Sequence, residues 1–246
     1  GNVGIGTTNP NEKLTVSGNI SASGTVYADA FNSVTGGTAI DFNDNIDLSG
    51  NLTLSGHVSA KNGYCSDENN NSKFGTSALN GLTSGTSNTA IGRNALTSTT
   101  SGKYNSAIGD GTLQDNTTGC HNTGNGYHAL ACNTTAKFNT AVGSCAAYAN
   151  TTGCGNAAVG FSALVKNTTG INNVAIGISA LYCNTTATYN VGVGYQGLYT
   201  NSTGCQNTGV GYNVLFSNTS GCYNTAYGAK ALQANTTGLG NTASGF

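Results

Sequence analysis

Asn156-Ala-Ala-Val159-Gly160-Phe-Ser-Ala163-Leu164-Val-Lys-Asn167-Thr-Thr-Gly170-Ile-Asn172 is one copy of a unit that recurs every 17 residues. From Asn71 to the end of the chain the unit repeats without insertion or deletion, giving ten full copies and a six-residue remainder that begins at Asn241. Position 1 is Asn in every copy, through Asn88, Asn105, Asn122, Asn139, Asn156, Asn173, Asn190, Asn207 and Asn224. Position 5 is Gly in every copy, through Gly92, Gly109, Gly126, Gly143, Gly160, Gly177, Gly194, Gly211 and Gly228. A period held this strictly specifies a stacked array, in which each unit buries its apolar side against its neighbours.

Within the unit, Thr-Ala-Ile/Val is β-prone, Gly interrupts it, Ala-Leu makes a second apolar step and Asn-Thr-Thr-Gly reads as a turn. The expected fold is therefore all-β, a parallel β-solenoid or β-roll with two short strands per coil. Side chains alternate along a strand, so Ile91, Ile108, Val142, Val159, Ile176, Val193 and Val210 share one face and the Ala or Gly before them takes the other. This predicts a core behind the aliphatics and a second backbone close against the Ala/Gly face, for which another subunit is one candidate. Ten coils stacked at about 4.8 Å would make a rod of roughly 48 Å.

Two readings hold for the Asn columns. Stacked amides form hydrogen-bonded ladders in repetitive β structures, and Asn also tolerates the positive φ of turns. Position 1 fits either, whereas position 12 (Asn116, Asn133, Asn150, Asn167, Asn184, Asn201, Asn218, Asn235) reads as a turn. These position-12 residues are also Asn-x-Ser/Thr sequons and so candidate glycosylation sites; the competing explanation is that the turn uses Asn-Thr-Thr for its own hydrogen bonds.

Residues 1–70 form a separate segment with a shorter period: Leu14 to Ala28 matches Ile46 to Ala60 at an offset of 32. Its apolar-x-apolar steps are too short to bury a core alone, so a short-strand shaft or connector with intertwined chains is expected before the array at 71–246. The half-repeat Asn2-Val-Gly-Ile5-Gly6 matches Asn190 to Gly194, and Asn241 to Phe246, with Gly245, is half a coil. That match suggests head-to-tail stacking of molecules, with truncation of a longer fibre as the rival. The chain contains no methionine, which points to a processed product or fragment.

Gly1-Asn-Val-Gly-Ile-Gly-Thr-Thr-Asn-Pro10 with Lys13-Leu-Thr-Val-Ser-Gly18 resembles a stretch common in bacteriophage tail-fibre proteins, and the array resembles their Asn-Thr-Ala-Ile-Gly repeats. The array is also similar to the head repeats of trimeric autotransporter adhesins, in which Val-Ala-Ile-Gly steps form a β-roll and three rolls pack about an axis. These likenesses imply a homotrimeric fibre with an attachment role, although the adhesin unit is typically shorter and the Asn-Thr-Thr-Gly turn is extra here.

Composition narrows the function further. Charged residues make up 7% of the chain and the net charge is −1, which leaves no basic patch for nucleic acid or an anionic membrane. No run is long enough to insert in a bilayer. Eight cysteines without a Cys-x-x-Cys favour an oxidising, extracellular setting. Cys205 and Cys222, both at position 16 and one coil apart, form a candidate disulfide.

All nine carboxylates precede residue 116, so most of the array lacks a pair for glycoside hydrolysis or an acidic calcium loop. Asp41, Asp44 and Asp47 read as a solvated turn, and Cys120, His121, His128 and Cys132 as incidental rather than a zinc set. No catalytic residues, metal or cofactor are expected, and the chain is expected not to be an enzyme. Aromatics cluster at position 6 (Tyr127, Phe161, Tyr195, Tyr212) and position 10 (Tyr148, Tyr182, Tyr199, Phe216). They suit packing along the stack or against another subunit, with a cell-surface glycan as the other partner class. The leading expectation is a self-associating extracellular fibre. A ligand-binding solenoid, with hydroxyl columns at positions 2, 13 and 14 as a carbohydrate- or ice-binding face, is the alternative.

Overall fold

In the computed structural model the described residues are 69–246 and the strands Val3–Ile5 and Leu14–Val16. The chain divides into two units, Gly1–His57 and Val58–Phe246. In the first, Val3–Ile5 pairs in parallel with Leu14–Val16, Val3 opposite Leu14 and Ile5 opposite Val16. Residues Asn2 and Gly6, the matched stretches around residues 14–60 and the Asp41–Asp47 turn otherwise lie outside the described residues.

The described residues of the second unit form a parallel β-solenoid. Its 11-stranded sheet runs in strict sequence order from Ser72–Phe74 to Thr242–Ser244, each strand three residues long and occupying positions 2 to 4. Registers are offset by one repeat throughout, as in Ala157↔Val174 and Val159↔Ile176. The 17-residue unit therefore returns the chain to the same point one strand spacing further along.

The expectation of two strands per coil is corrected to one. In the Ala-Leu half, Ser162 and Leu164 both have φ 54°, the left-handed region, and the same pattern recurs at Asn94/Leu96 and Gln196/Leu198. Alternating hand breaks the extended strand, yet the coils still bond there: the Leu164 N–H donates to the Ala180 carbonyl at 2.9 Å and the Ser162 N–H to that of Ser144 at 3.0 Å. A left-handed leucine costs about 1–2 kcal/mol. Full burial of its side chain, as at Leu164, returns about 1.5–3 kcal/mol, so packing offsets the strain.

The inward face of the strand is also the reverse of the expectation. The middle residue, Ala158 or Ala175, is fully buried, while Val159 and Ile176 retain 37% and 42% of their exposure. The reason is width. The position-9 leucines fill the coil from the opposite wall, and a methyl group built on Gly209, a middle-strand residue, would lie 3.0 Å from Leu198 Cδ1 and 3.1 Å from Val214 Cγ1. Only Ala or Gly fits between leucine and strand, so the larger aliphatics are forced outward. The core is a narrow column of these alanines and leucines.

Position 5 turns the corner after the strand. Gly160 has φ +131°, and a Cβ there would come within 2.6 Å of the Gly177 carbonyl oxygen. Both the backbone angle and the neighbouring coil demand glycine. At the opposite corner, the N–H groups of Thr151, Thr152 and Gly153 all point at one acceptor, the Thr168 carbonyl, at 3.0, 3.2 and 3.3 Å.

Candidate functional site: amide ladders and an exposed apolar stripe

Both Asn columns are ladders. At position 1, the Asn173 side-chain amide donates to Asn156 Oδ1 at 3.2 Å, and the Asn173 backbone N–H donates to the same oxygen at 3.0 Å. At position 12, Asn167 Nδ2 donates to Asn150 Oδ1 at 2.7 Å and Asn184 Nδ2 to Asn167 Oδ1 at 2.7 Å. Within one coil the two columns meet: Asn156 Nδ2 and Asn167 Nδ2 both donate to the Gly170 carbonyl, at 2.9 and 3.0 Å. The turn reading of position 12 by positive φ is overturned, because the left-handed asparagines among the described residues are Asn70, Asn94, Asn172 and Asn213, none of them in either column.

Burial explains why amides are used. Asn88, Asn122, Asn173, Asn190, Asn207 and Asn224 are fully buried, as are Asn116, Asn133, Asn150, Asn167, Asn184, Asn201 and Asn218. An unpaired polar group there would cost about 1–3 kcal/mol, and the ladder gives each one partners. The position-12 sequons from Asn116 to Asn218 thus have enclosed amide nitrogens that already donate to neighbouring coils or to their own turn. Asn235, half-buried, donates to Asn218 Oδ1 at 2.8 Å.

Outside the coil, the position-4 side chains form a stripe. Ile91, Ile108, Val142, Val159 and Ile176 are exposed, with Phe74 and Tyr227 at its two ends and Asn125 as a polar interruption. Beyond the glycine corner stand the position-6 side chains Tyr127, Phe161, Ile178, Tyr195 and Tyr212, also exposed. Arg93 and Asp110, in the same column, pair with each other at 2.7 Å.

The aromatic columns are stacks. Tyr182, Tyr199 and Phe216 follow one another with ring centres 5.0 and 5.2 Å apart and planes within 13° and 4°. Tyr195 and Tyr212 stack at 5.5 Å. A third column, at position 17, holds Tyr104, His121 and Phe138 at 4.8 and 5.2 Å. Sequence reasoning passed over it, although the spacing of 17 between these residues was its signal. His121 is thus held between two rings and His128 packs edge-on to Tyr127; among the described residues no group of three or more His, Cys, Asp or Glu comes together to hold a metal.

The thiols of Cys205 and Cys222 lie 3.2 Å apart and both cysteines are free, as are the other five described ones. Of the residues matched at the two ends, Ile5 lies in the strand Val3–Ile5, Asn241 continues the ladder by donating to Asn224 Oδ1 at 3.0 Å, Gly245 keeps the position-5 geometry at φ +121°, and the Phe246 ring lies under Lys230 Nζ at 5.4 Å. No protein-family model, no curated protein and no solved structure matches this chain.

Proposed function

We propose that the chain is a structural fibre protein, whose coils build a stiff extracellular rod and whose position-4 stripe packs against further copies of the same chain. The carrying observation is the outward row of aliphatics, Ile91 to Ile176, on a sheet whose inner face is already filled by its own leucines. A partner for such a row has to repeat at the strand spacing along its whole length, and a second copy of the chain does so.

Magnitudes set how wide the contact must be. A strip about 48 Å long and three residues, roughly 10 Å, wide offers about 500 Å². Were all of it apolar, about 25 cal/mol/Å² would yield ~12 kcal/mol gross, an upper bound because position 2 is mostly Thr or Ser, against the ~4–15 kcal/mol cost of association. The flanking position-6 rings therefore belong to the interface, widening it toward the ~800 Å² per partner of ordinary complexes. The resemblance to phage tail fibres and to trimeric adhesin heads supports a tail fibre or adhesin stalk and a threefold assembly.

Sedimentation equilibrium of the full chain tests this. The expected result is a homo-oligomer, converted to monomer by the double change Val159→Asp and Ile176→Asp with an unchanged far-ultraviolet circular dichroism spectrum. A monomer at every concentration would sink the proposal.

The alternative, a ligand-binding face, draws on the exposed position-14 hydroxyls, such as Thr152, Thr169 and Thr186. The position-13 hydroxyls are spent on the backbone, as where Thr168 Oγ1 donates to the Thr185 carbonyl at 3.1 Å. Rings stacked face to face leave mainly edges for a sugar, which disfavours glycan recognition by these columns. A thermal-hysteresis assay with no effect would remove the ice-binding form of this reading.

A further inference from the structure

Position 16 is occupied by cysteine four times, at Cys120, Cys154, Cys205 and Cys222. Cysteine here has a defined setting: the Cys154 sulfur accepts the Lys137 N–H of the preceding coil at 3.3 Å, and the Cys222 sulfur accepts the Cys205 N–H at 3.1 Å. Only at Cys205 and Cys222 does the column place two cysteines on adjacent coils. Their sulfurs are 3.2 Å apart and both side chains are half-buried rather than sealed. Neighbouring in-register backbones are about 4.8 Å apart, inside the ~4.4–6.8 Å Cα separation that a disulfide requires.

The other column-mates do not meet this condition. Cys120 and Cys154 are two coils apart, roughly 9.6 Å, and Cys132 and Cys183 three coils apart, roughly 14 Å, both beyond disulfide reach.

We propose that Cys205 and Cys222 are an oxidation site, forming an intramolecular disulfide that staples two consecutive coils when the chain meets a small disulfide oxidant such as oxidised glutathione. The Cys222 thiol gives its proton to water, and the resulting thiolate, with the Cys205 N–H directed at its sulfur, attacks one sulfur of the oxidant. The oxidant's S–S bond breaks and one glutathione leaves, taking a proton from water. The Cys205 thiol then gives its proton to water and attacks the Cys222 sulfur of the mixed disulfide, releasing the second glutathione, which also takes a proton from water. Two protein thiols are oxidised and one disulfide is reduced to two thiols. Cys205 holds its proton more tightly than a free thiol, through its contact with Cys222 and then through burial, which suits it to the second step rather than the first.

The test is a linkage map of the full chain. After incubation with oxidised glutathione, denaturation, alkylation and digestion, mass spectrometry should find one cross-linked peptide pair joining Cys205 to Cys222, with two of the eight cysteines protected. Non-reducing electrophoresis should show no new covalent dimer. The urea midpoint should rise on oxidation and return on reduction, and Cys222→Ser should abolish that rise. Full alkylation of both cysteines, a stable glutathione adduct without the link, or linkage to another chain would each overturn the proposal. The map of the unsubstituted protein is decisive even if the variant folds poorly.

Discussion

Thr99 precedes Asn116 by one coil in the position-12 column, and its buried hydroxyl has no hydrogen-bond partner, whereas Asn116 carries the first rung of the ladder. Thr99→Asn should therefore extend the ladder by one rung, its amide donating to the Gly102 carbonyl and its oxygen receiving Asn116. A gain of about 0.5–1.5 kcal/mol is expected, read as a higher urea midpoint; a lower midpoint would contradict the ladder account.

Removing a rung from the middle is costlier. Asn167→Ala takes away the donor to Asn150 and Gly170 and the acceptor of Asn184. With about 1–3 kcal/mol for each stranded buried group, a loss of roughly 2–4 kcal/mol is expected. The exposed neighbour change Thr169→Ala should stay within about 0.5 kcal/mol. Chemical denaturation of the pair checks the contrast.

The glycine column separates conformational strain from collision. Gly160→Ala faces both φ +131° and a carbonyl at 2.6 Å, whereas Gly240→Ala meets φ +67° and open space. The first should cost more than about 3 kcal/mol or prevent folding, the second about 1 kcal/mol, as measured by thermal unfolding.

Ring stacking predicts a smaller effect. Tyr199→Ala breaks its contacts with both Tyr182 and Phe216. At about 0.5–1.5 kcal/mol per aromatic pair, a loss of roughly 1–3 kcal/mol is expected, with a reduced near-ultraviolet circular dichroism signal. An unchanged midpoint would mean that the column is ornamental.

Thiol titration gives a pH dependence with a definite sign. Cys205 is shifted upward by its contact with Cys222 and by burial, and Cys132 by burial and then by Asp115. In both, the folded state binds the proton more tightly than the unfolded chain, whose thiols titrate near about 8.5. Their stabilising contribution is complete below that pH and disappears as pH rises through the folded values. Reduced protein should lose stability on the alkaline side, and Cys132 should alkylate more slowly than the unfolded chain at pH 9 when followed by mass spectrometry.

The period, the strand at positions 2 to 4 and the glycine corner were all legible in the sequence, because each depends on residue type at a fixed spacing. Which strand face turns inward was not. Val159 outranks Ala158 in hydrophobicity, and only the volume contributed by Leu164 across the coil reverses the choice. The left-handed leucines were illegible for a similar reason, since propensity alone argues against them and burial overrides it. The position-12 ladder was hidden behind a sequence that also spells a turn, and Asn167 serves both.

The shared acceptor at position 15 has a consequence for length. Each coil closes on its own carbonyl and hands one amide oxygen from each of its two ladders to the next coil, so whole 17-residue units can be copied or deleted with every donor still finding its acceptor. Each such event changes the rod by about 4.8 Å. A shift of a single residue would instead throw both ladders and the glycine corner out of step together. The coil is thereby the graduation of a molecular ruler, whose length is set in whole units.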